Sequence, residues 1–240
     1  MKPKIICHIM SSVDGRVING RWSEPFDGRP QSDLTKVYAQ LGATLGTDAW
    51  MFGLNTARAF LPLKFVGKKQ DKKMPREPYI APRTSKRLFV FADPDAGIYY
   101  NTSKVRGDDI AVILSENVTD EYLHHLQKAG VSYLFGGADG TDLQAAMITL
   151  GDIFGVRSIS LQGGGIIDGA MLVAGLLDEL SLVMYPGIDG LAGVSSIFQY
   201  IGGATEHPAE GQTLELLDVE KCDYGIVWIR YKFHHKNNWK

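Results

Sequence analysis

Apolar positions along this chain follow two rhythms. Short uninterrupted runs at residues 4–11 (KIICHIMS), 48–53, 87–92, 110–115, 131–135 and 158–161 have the length and composition of buried strands. Between several of them the apolar residues recur every third or fourth position. Leu34, Val37, Tyr38, Leu41 and Leu45 share one face of a helix expected from 33 to about 45. Ser32 stands where a hydroxyl can accept an orphaned backbone N–H, so it is the expected cap. Two further helices are expected over 119–129 and 141–154, the second capped by Thr141 or Asp142. Residues 12–31 read as a loop, and Pro62, Pro75, Pro78 and Pro82 exclude a regular element over 61–86.

Strand–helix–strand alternation favours parallel pairing with helices on the sheet faces. The end of the chain differs. Residues 179–185, 213–219 and 224–233 are strand-like with no strong helix between them, which predicts antiparallel strands completing a mixed sheet. No repeat and no boundary interrupts the pattern. The expected architecture is α/β, a single domain over 1–240 with a mixed, mostly parallel central sheet flanked by helices.

Composition narrows the classes. A hydrophobic fraction of 45% and a charged fraction of 22% suit a soluble globular protein whose 240 residues bury a full core. The net charge of -2 gives no pull toward nucleic acid or anionic lipid. No apolar run reaches the ~20 residues that span a bilayer, and the N-terminus reads as the first strand rather than a signal segment. The two cysteines, Cys7 and Cys222, lie in strand-like runs. They are either spatial neighbours or, as expected, two separate buried thiols, and a reducing cytoplasm is the expected compartment.

The run SISLQGGGIIDGAMLVAGLLDEL, residues 158–180, raises the first chemical question. A strand ends at Leu161 or Gln162, and a helix is expected from near Ile166 to about Leu177. Gly163, Gly164 and Gly165 therefore form the turn at a carboxyl end of the sheet, where ligands of open α/β sheets bind. A helix start offers unpaired N–H groups and about half a positive charge, which suits phosphate. Glycine lets a backbone approach a ligand closely. The other reading is a tight turn that needs positive φ, which one or two glycines would satisfy. The spacing is neither G-x-G-x-x-G nor a P-loop. The helix that follows is apolar on nearly all sides, which points to the core or to a subunit contact.

Two more glycine turns follow strands. Ser11-Ser12-Val13-Asp14-Gly15-Arg16 holds an Asp-Gly turn, and Phe52-Gly53-Leu54-Asn55-Thr56 precedes a short helix that Asn55 or Thr56 can cap. If their strands are neighbours, the turns converge on one cleft. Other features read as bland. His124–His125 point in different directions on a helix, and His234–His235 lie in a basic tail, so all four are expected at the surface and no metal site is expected. The stretch KFVGKKQDKKMPREP, 64–78, is either a solvated loop or a lid near phosphates.

Three blocks, IICHIMSSVDGRV, TDAWMFGLNTA and RSISLQGGGIIDGAMLVAGLLDELSLVMYPGIDG, resemble in order and spacing the reductase domain family of riboflavin biosynthesis, RibD C-terminal-like, in the dihydrofolate-reductase-like superfamily. The resemblance implies a mixed sheet flanked by helices, a homodimer, a small-molecule substrate and NADPH as hydride donor. Position by position, it implies that Gly164, Gly165, Ile166, Ile167, Asp168, Gly169 and Ala170 line the pyrophosphate. Gly163 and Gly53 join them as turn glycines. Thr56 matches a threonine that binds NADP, Ser11 a position beside the nicotinamide, and Ser115 a position near the 2′-phosphate.

Two departures separate the chain from members that reduce the phosphoribosylamino-pyrimidine. Gln162 stands where they carry Glu, and Ala57 to Pro62 replace an Asp-Asp-Pro-x-Leu-Thr stretch. Gln donates and accepts but does not titrate. The cofactor end of the site is thus kept and the substrate end, where Gln162 and Asp14 are the candidate residues, is altered at Gln162 and at Ala57 to Pro62. Hydride transfer from NADPH to a C=N or C=O carbon is the expected reaction, with the chemistry supplied by the cofactor. No dedicated acid occupies a matched position, so solvent delivers the proton. Asp14 is a candidate whose other reading is to hold its turn. A folate reductase would need a carboxylate on the first helix. Asp33 lies there, in the first turn, where a dipole role suits it. A nucleotide-binding protein without catalysis is the remaining alternative. The zinc-deaminase signature H-x-E…P-C-x-x-C does not occur.

Overall fold

The computed structural model describes residues 1–67 and 74–236. In chain order the elements are β1 (Lys4–Ser11), α1 (Gln31–Thr44), β2 (Ala49–Gly53), α2 (Leu54–Phe60), β3 (Leu88–Ala92), β4 (Lys104–Val105), β5 (Asp108–Leu114), α3 (Asp120–Ala129), β6 (Ser132–Phe135), α4 (Leu143–Asp152), β7 (Ser158–Leu161), α5 (Gly165–Val173), β8 (Glu179–Met184), β9 (Gln212–Lys221) and β10 (Val227–His235). They divide into two units, one of Met1–Pro3 with Thr47–Ile159, the other of Lys4–Gly46 with Ser160–Lys240.

In the first unit β2, β3, β5 and β6 run parallel, and the two-residue β4 pairs antiparallel with the start of β5. Parallel pairing puts the carboxyl ends of these strands on one edge, so Gly53, Asp93, Ser115 and Gly136 emerge side by side. Strands β3 and β5 are buried almost throughout, as sheets covered on both faces require. Phe52, Phe89, Phe91, Tyr100, Tyr122 and Tyr133 fill the core on one side. Helix α3 is bounded by its own chemistry. Thr119 accepts the Tyr122 N–H at 3.2 Å, and Gly130 closes the helix at φ 71°. Of the two caps offered for α4, Asp142 is the one used: it accepts the Ala145 N–H at 2.9 Å, while the Thr141 hydroxyl turns to Asp139.

In the second unit β1 pairs parallel with β8, β8 antiparallel with β10, and β10 antiparallel with β9. The expected antiparallel end is therefore present as β8, β10 and β9, and β8, parallel to β1, is where the pairing changes direction. Helix α1 packs Leu34 and Val37 with Trp22, Val183, Tyr185 and Trp228 over one face. It begins at Gln31, not 33, and Ser32 does not cap it. Pro30, with φ fixed by its ring, takes the cap position and offers no side-chain acceptor. Asp33 lies in the first turn and pairs with Lys36 at 2.7 Å. Helix α5 stops at Val173, short of the expected 177, because Gly175 turns left-handed at φ 63°. Helix α2 starts at Leu54 with Gly53 as its cap, so neither Asn55 nor Thr56 caps it. Cys7 is a buried free thiol, whereas Cys222 is only half-buried.

Candidate functional site

The glycine turn joins β7 to α5. Gly163 has φ 82°, a left-handed conformation that disfavours any Cβ, and its peptide bond to Gly164 is cis. A Cβ there would stand 2.8 Å from Ile9 Cδ1. Gly164 is the extended cap residue of α5, and its carbonyl accepts Ile167 N–H at 3.1 Å. A Cβ on Gly165 would collide with the Ser196 carbonyl, and one on Gly169 with the Gln199 backbone. Gln199 N–H also donates to the Gly165 carbonyl at 2.9 Å. Packing within the chain is thus by itself a reason for two of the three glycines. Ile9 excludes a side chain at Gly163, and the chain's own strap, residues 194–200, excludes one at Gly165. Solvent is reached at half-buried Gly164 and Ala170 and at Ile166, which is 46% exposed. Gly163, Gly165, Ile167, Asp168 and Gly169 are buried.

The strap is held by the first turn. Asp14 accepts from Ser12 Oγ at 2.7 Å, from Asp189 N–H at 3.1 Å and from Gly190 N–H at 2.9 Å. These donors, Ser12 foremost, lower its pKa to about 2. Arg16 Nη1 donates to the Val194 carbonyl at 2.8 Å, and Val17 N–H to the Ser195 carbonyl at 3.1 Å. Arg21 grips Asp189 with two bonds, at 2.9 and 3.1 Å. Of its two expected tasks, Asp14 therefore performs the structural one: it fastens its own turn to the loop after β8. Ser11 is buried, and its hydroxyl donates to the Ser12 carbonyl at 3.0 Å. Gln162 is half-buried, with its amide nitrogen 3.2 Å from Ser160 Oγ.

Beneath α1 lies a polar chain with no counterpart in the sequence reading. Trp228 Nε1 donates to Ser181 Oγ at 2.8 Å. Ser181 Oγ lies 2.9 Å from His8 Nδ1, and His8 Nε2 lies 3.1 Å from the Tyr38 carbonyl. A carbonyl only accepts, so Nε2 carries the proton and Nδ1 accepts from Ser181. Burial lowers the His8 pKa to about 4, which keeps this arrangement neutral. The imidazole also stacks on Tyr38, ring centroids 4.3 Å apart.

On the first unit's edge Gly53 and Thr56 are half-buried at the start of α2. Ser115 is buried, and its Oγ accepts Asn117 N–H at 3.2 Å. Beside it runs a glycine turn that sequence reasoning missed, Gly136-Gly137-Ala138-Asp139-Gly140. Gly140, at φ 80°, leaves no room for a Cβ against Pro94 or the Ser115 N–H. Its signal was present, a glycine pair directly after the apolar run VSYLF. Asp93 ties the loop after β3 by accepting Gly97 N–H at 2.7 Å and Ile98 N–H at 3.0 Å.

Two peripheral expectations change. His125 is half-buried and stacks on Tyr99 at 4.3 Å, while His234 pairs with Glu215 at 2.7 Å on β10 and His235 bonds the Leu177 carbonyl. In the basic stretch, Arg76 donates to the carbonyls of Met74, Glu116 and Val118 and pairs with Asp120 at 2.8 Å, a structural clamp. Lys68, Lys69, Lys72 and Lys73 of that stretch lie outside the described residues. Among the described residues no helix is long and apolar enough to cross a membrane, and no group of three or more His, Cys, Asp or Glu side chains could hold a metal ion.

Known proteins give the arrangement a context. A pyrimidine reductase-like protein from Corynebacterium diphtheriae superposes with a TM-score of 0.64 at 19% identity, covering 97% of this chain and 92% of that one. RibD from Acinetobacter baumannii gives 0.59 at 18%, covering 97% of this chain and 58% of that one. A diaminohydroxyphosphoribosylaminopyrimidine deaminase/5-amino-6-(5-phosphoribosylamino)uracil reductase from Thermotoga maritima gives 0.57 at 15%, covering 96% and 56%. These establish the fold, a mixed and mostly parallel sheet flanked by helices with antiparallel strands near the C-terminus. The model of the RibD C-terminal domain matches residues 3–228, through both units and all three glycine turns read from the sequence, and the chain belongs to that family.

Proposed function

We propose that this chain, taken as one reductase domain over 1–240, is an NADPH-dependent reductase of a pyrimidine- or pterin-like small molecule. The observation that carries the reading is the β7–α5 turn. It places a helix start, free of side chains at residues 163–165, at the carboxyl end of a strand. The residues present fit a dinucleotide. The exposed part of the turn carries no acid, and Asp168, the one carboxyl in the first turns of α5, is turned inward. The amides at the start of α5 would hold the pyrophosphate at Gly164 and Ile166, with Ala170 lining it by its surface and buried neighbours contributing backbone only. Ser11 would flank the nicotinamide through its main chain, whereas Gly53, Thr56 and Ser115 are cofactor residues by the family resemblance alone.

Bound NADPH supplies the hydride. The chain's own task is to orient the acceptor and exclude water. Asp14 is no proton donor near neutral pH, because its pKa lies near 2. His8 is sealed and neutral. Solvent therefore protonates the product nitrogen or oxygen. Gln162 faces the substrate with an amide in place of an acid, which favours a substrate other than the phosphoribosylamino-uracil. The test is NADPH and NADH titration by nicotinamide fluorescence, then NADPH oxidation with a panel of pyrimidines and pterins. NADPH should bind tighter than NADH, and the phosphorylated riboflavin intermediate should be turned over weakly or not at all. Binding without turnover of any panel member would favour a nucleotide-binding protein instead. A cytoplasmic enzyme is the setting this chemistry suits.

A homodimer completes the reading. Leu214, Leu216 and Val219 of β9 lie directly opposite Phe233, Tyr231 and Ile229 of β10 and so share a sheet face with them. The three β9 residues are exposed, as are Ile166 and Val173 of α5. That much apolar surface on one unit suits a second copy.

A further inference from the structure

Asp168 lies at the foot of the glycine turn, in the first turn of α5, and is fully buried. Neither carboxyl oxygen has an N–H or O–H partner, and its one side-chain contact of hydrogen-bond type is the weak S–H donor of Cys7. A Cβ built on Gly163 would stand 3.5 Å from Oδ2, so the carboxyl packs directly under the turn. The titratable groups that face it are the Cys7 thiol from β1 and the Tyr38 phenol from α1, and neither brings a positive charge. Gly165, Asp168, Gly169 and Leu172 are all buried and follow one another at helical spacing, which makes Asp168 part of the inner stripe of α5.

An ionised carboxylate cannot be held in such a place. Water is gone, no N–H or O–H replaces it, and no cation compensates. The positive end of α5 offers a partial charge that is far smaller than the desolvation it would have to offset. We propose that Asp168 is a positioning residue for the cofactor phosphates: it packs beneath Gly163 as an uncharged carboxylic acid, supporting the turn from below without setting a negative charge under the diphosphate. The role rests on the reading that the turn binds a dinucleotide. Burial also raises the Asp168 pKa well above the usual carboxylate value, as this role requires.

The sign of the linkage gives a test that needs no ligand. The unfolded chain ionises Asp168 above its ordinary pKa, 3.8, while the folded chain keeps the proton. Stability contributed at this site is thus present below 3.8 and lost as pH rises toward the folded pKa. Asp168→Asn removes the loss. Its urea midpoint should exceed that of the parent chain at pH 8, and the gain should vanish near pH 4. A variant less stable than the parent at pH 8 would mean an ionised, partnered carboxylate and would overturn the proposal.

Ligand binding then tests the positioning. NADPH affinity of Asp168→Asn should stay within about twofold of the parent at pH 7. Asp168→Ala, which removes the support, should lose at least ~10-fold while still folded, as its urea transition would confirm. Equal losses in both variants, or none in the alanine variant, would remove the positioning role. If the parent binds neither NADPH nor NADH, the cofactor reading fails and the positioning role with it. The stability comparison still decides whether the carboxyl is uncharged.

Discussion

At the scale of single residues, the site is built from groups whose obvious chemistry is already committed. Gly164 is the central test. Val there puts a β-branched side chain on the open part of the turn, so NADPH affinity should fall at least ~10-fold, about 1.4 kcal/mol, with only a modest loss of stability. Unchanged affinity in a folded variant would show that no phosphate sits there. His8 predicts a pH effect of opposite sign to that of Asp168. Its pKa drops from 6.5 unfolded to about 4 folded, so stability is intact above 6.5 and declines as pH falls through 4. The full effect is up to about 3 kcal/mol. Urea unfolding at pH 7, 5 and 4 should show it, and His8→Gln should flatten that limb. A variant with the parent's slope between pH 6.5 and 4 would assign the acid sensitivity elsewhere. Asp168 shows what a linear reading misses. Its place in the run that the family resemblance matches to the pyrophosphate suggests contact with a ligand, yet its spacing to Gly165 and Leu172 already puts it on the buried stripe.

At the scale of elements, the strands were legible and several of their ends were not. Runs such as KIICHIMS and SYLF announce burial by composition, and Asp142 and Gly130 act as their residue types suggest. Helix α5 ends earlier than its sequence suggests, because AGLLDEL continues the apolar pattern while only backbone geometry at Gly175 marks the stop. The strap over α5 was invisible for a related reason. Ser196 and Gln199 meet Gly165 and Gly169 through main-chain atoms, and main-chain contacts leave no mark on residue type except the glycines opposite. Those glycines give the test. Gly169→Ala forces a methyl against the Gln199 backbone, which should cost about 1–3 kcal/mol, the range for overpacking. Hydrogen exchange at the Gln199 amide, now bonded to the Gly165 carbonyl, should accelerate in that variant. Unchanged protection would mean that the strap has room to spare.

At the scale of the molecule, class and family were legible because three motif blocks lie far apart and keep their order. What they could not tell was how the second unit exposes its apolar face, since this depends on which β9 residues stand opposite β10. The face predicts an assembly. Light scattering at micromolar concentration should give twice 26.4 kDa, and Leu216→Glu should shift the mass to that of a single chain. An unshifted dimer would place the interface elsewhere. A monomeric parent chain would leave the cofactor site standing and remove the assembly.

The parallel pairing of β1 with β8 also bears on how the protein is made. Ile5 bonds to Asp178 and His8 to Ser181, each 173 residues further on. At roughly 5–20 residues per second a ribosome needs on the order of ten seconds to supply those partners. Throughout that interval the most buried strand of the second unit has left the exit tunnel without its neighbour. Cys7, inaccessible in the finished molecule, is then open to thiol reagents, and its labelling on stalled nascent chains of increasing length should end once β8 has emerged.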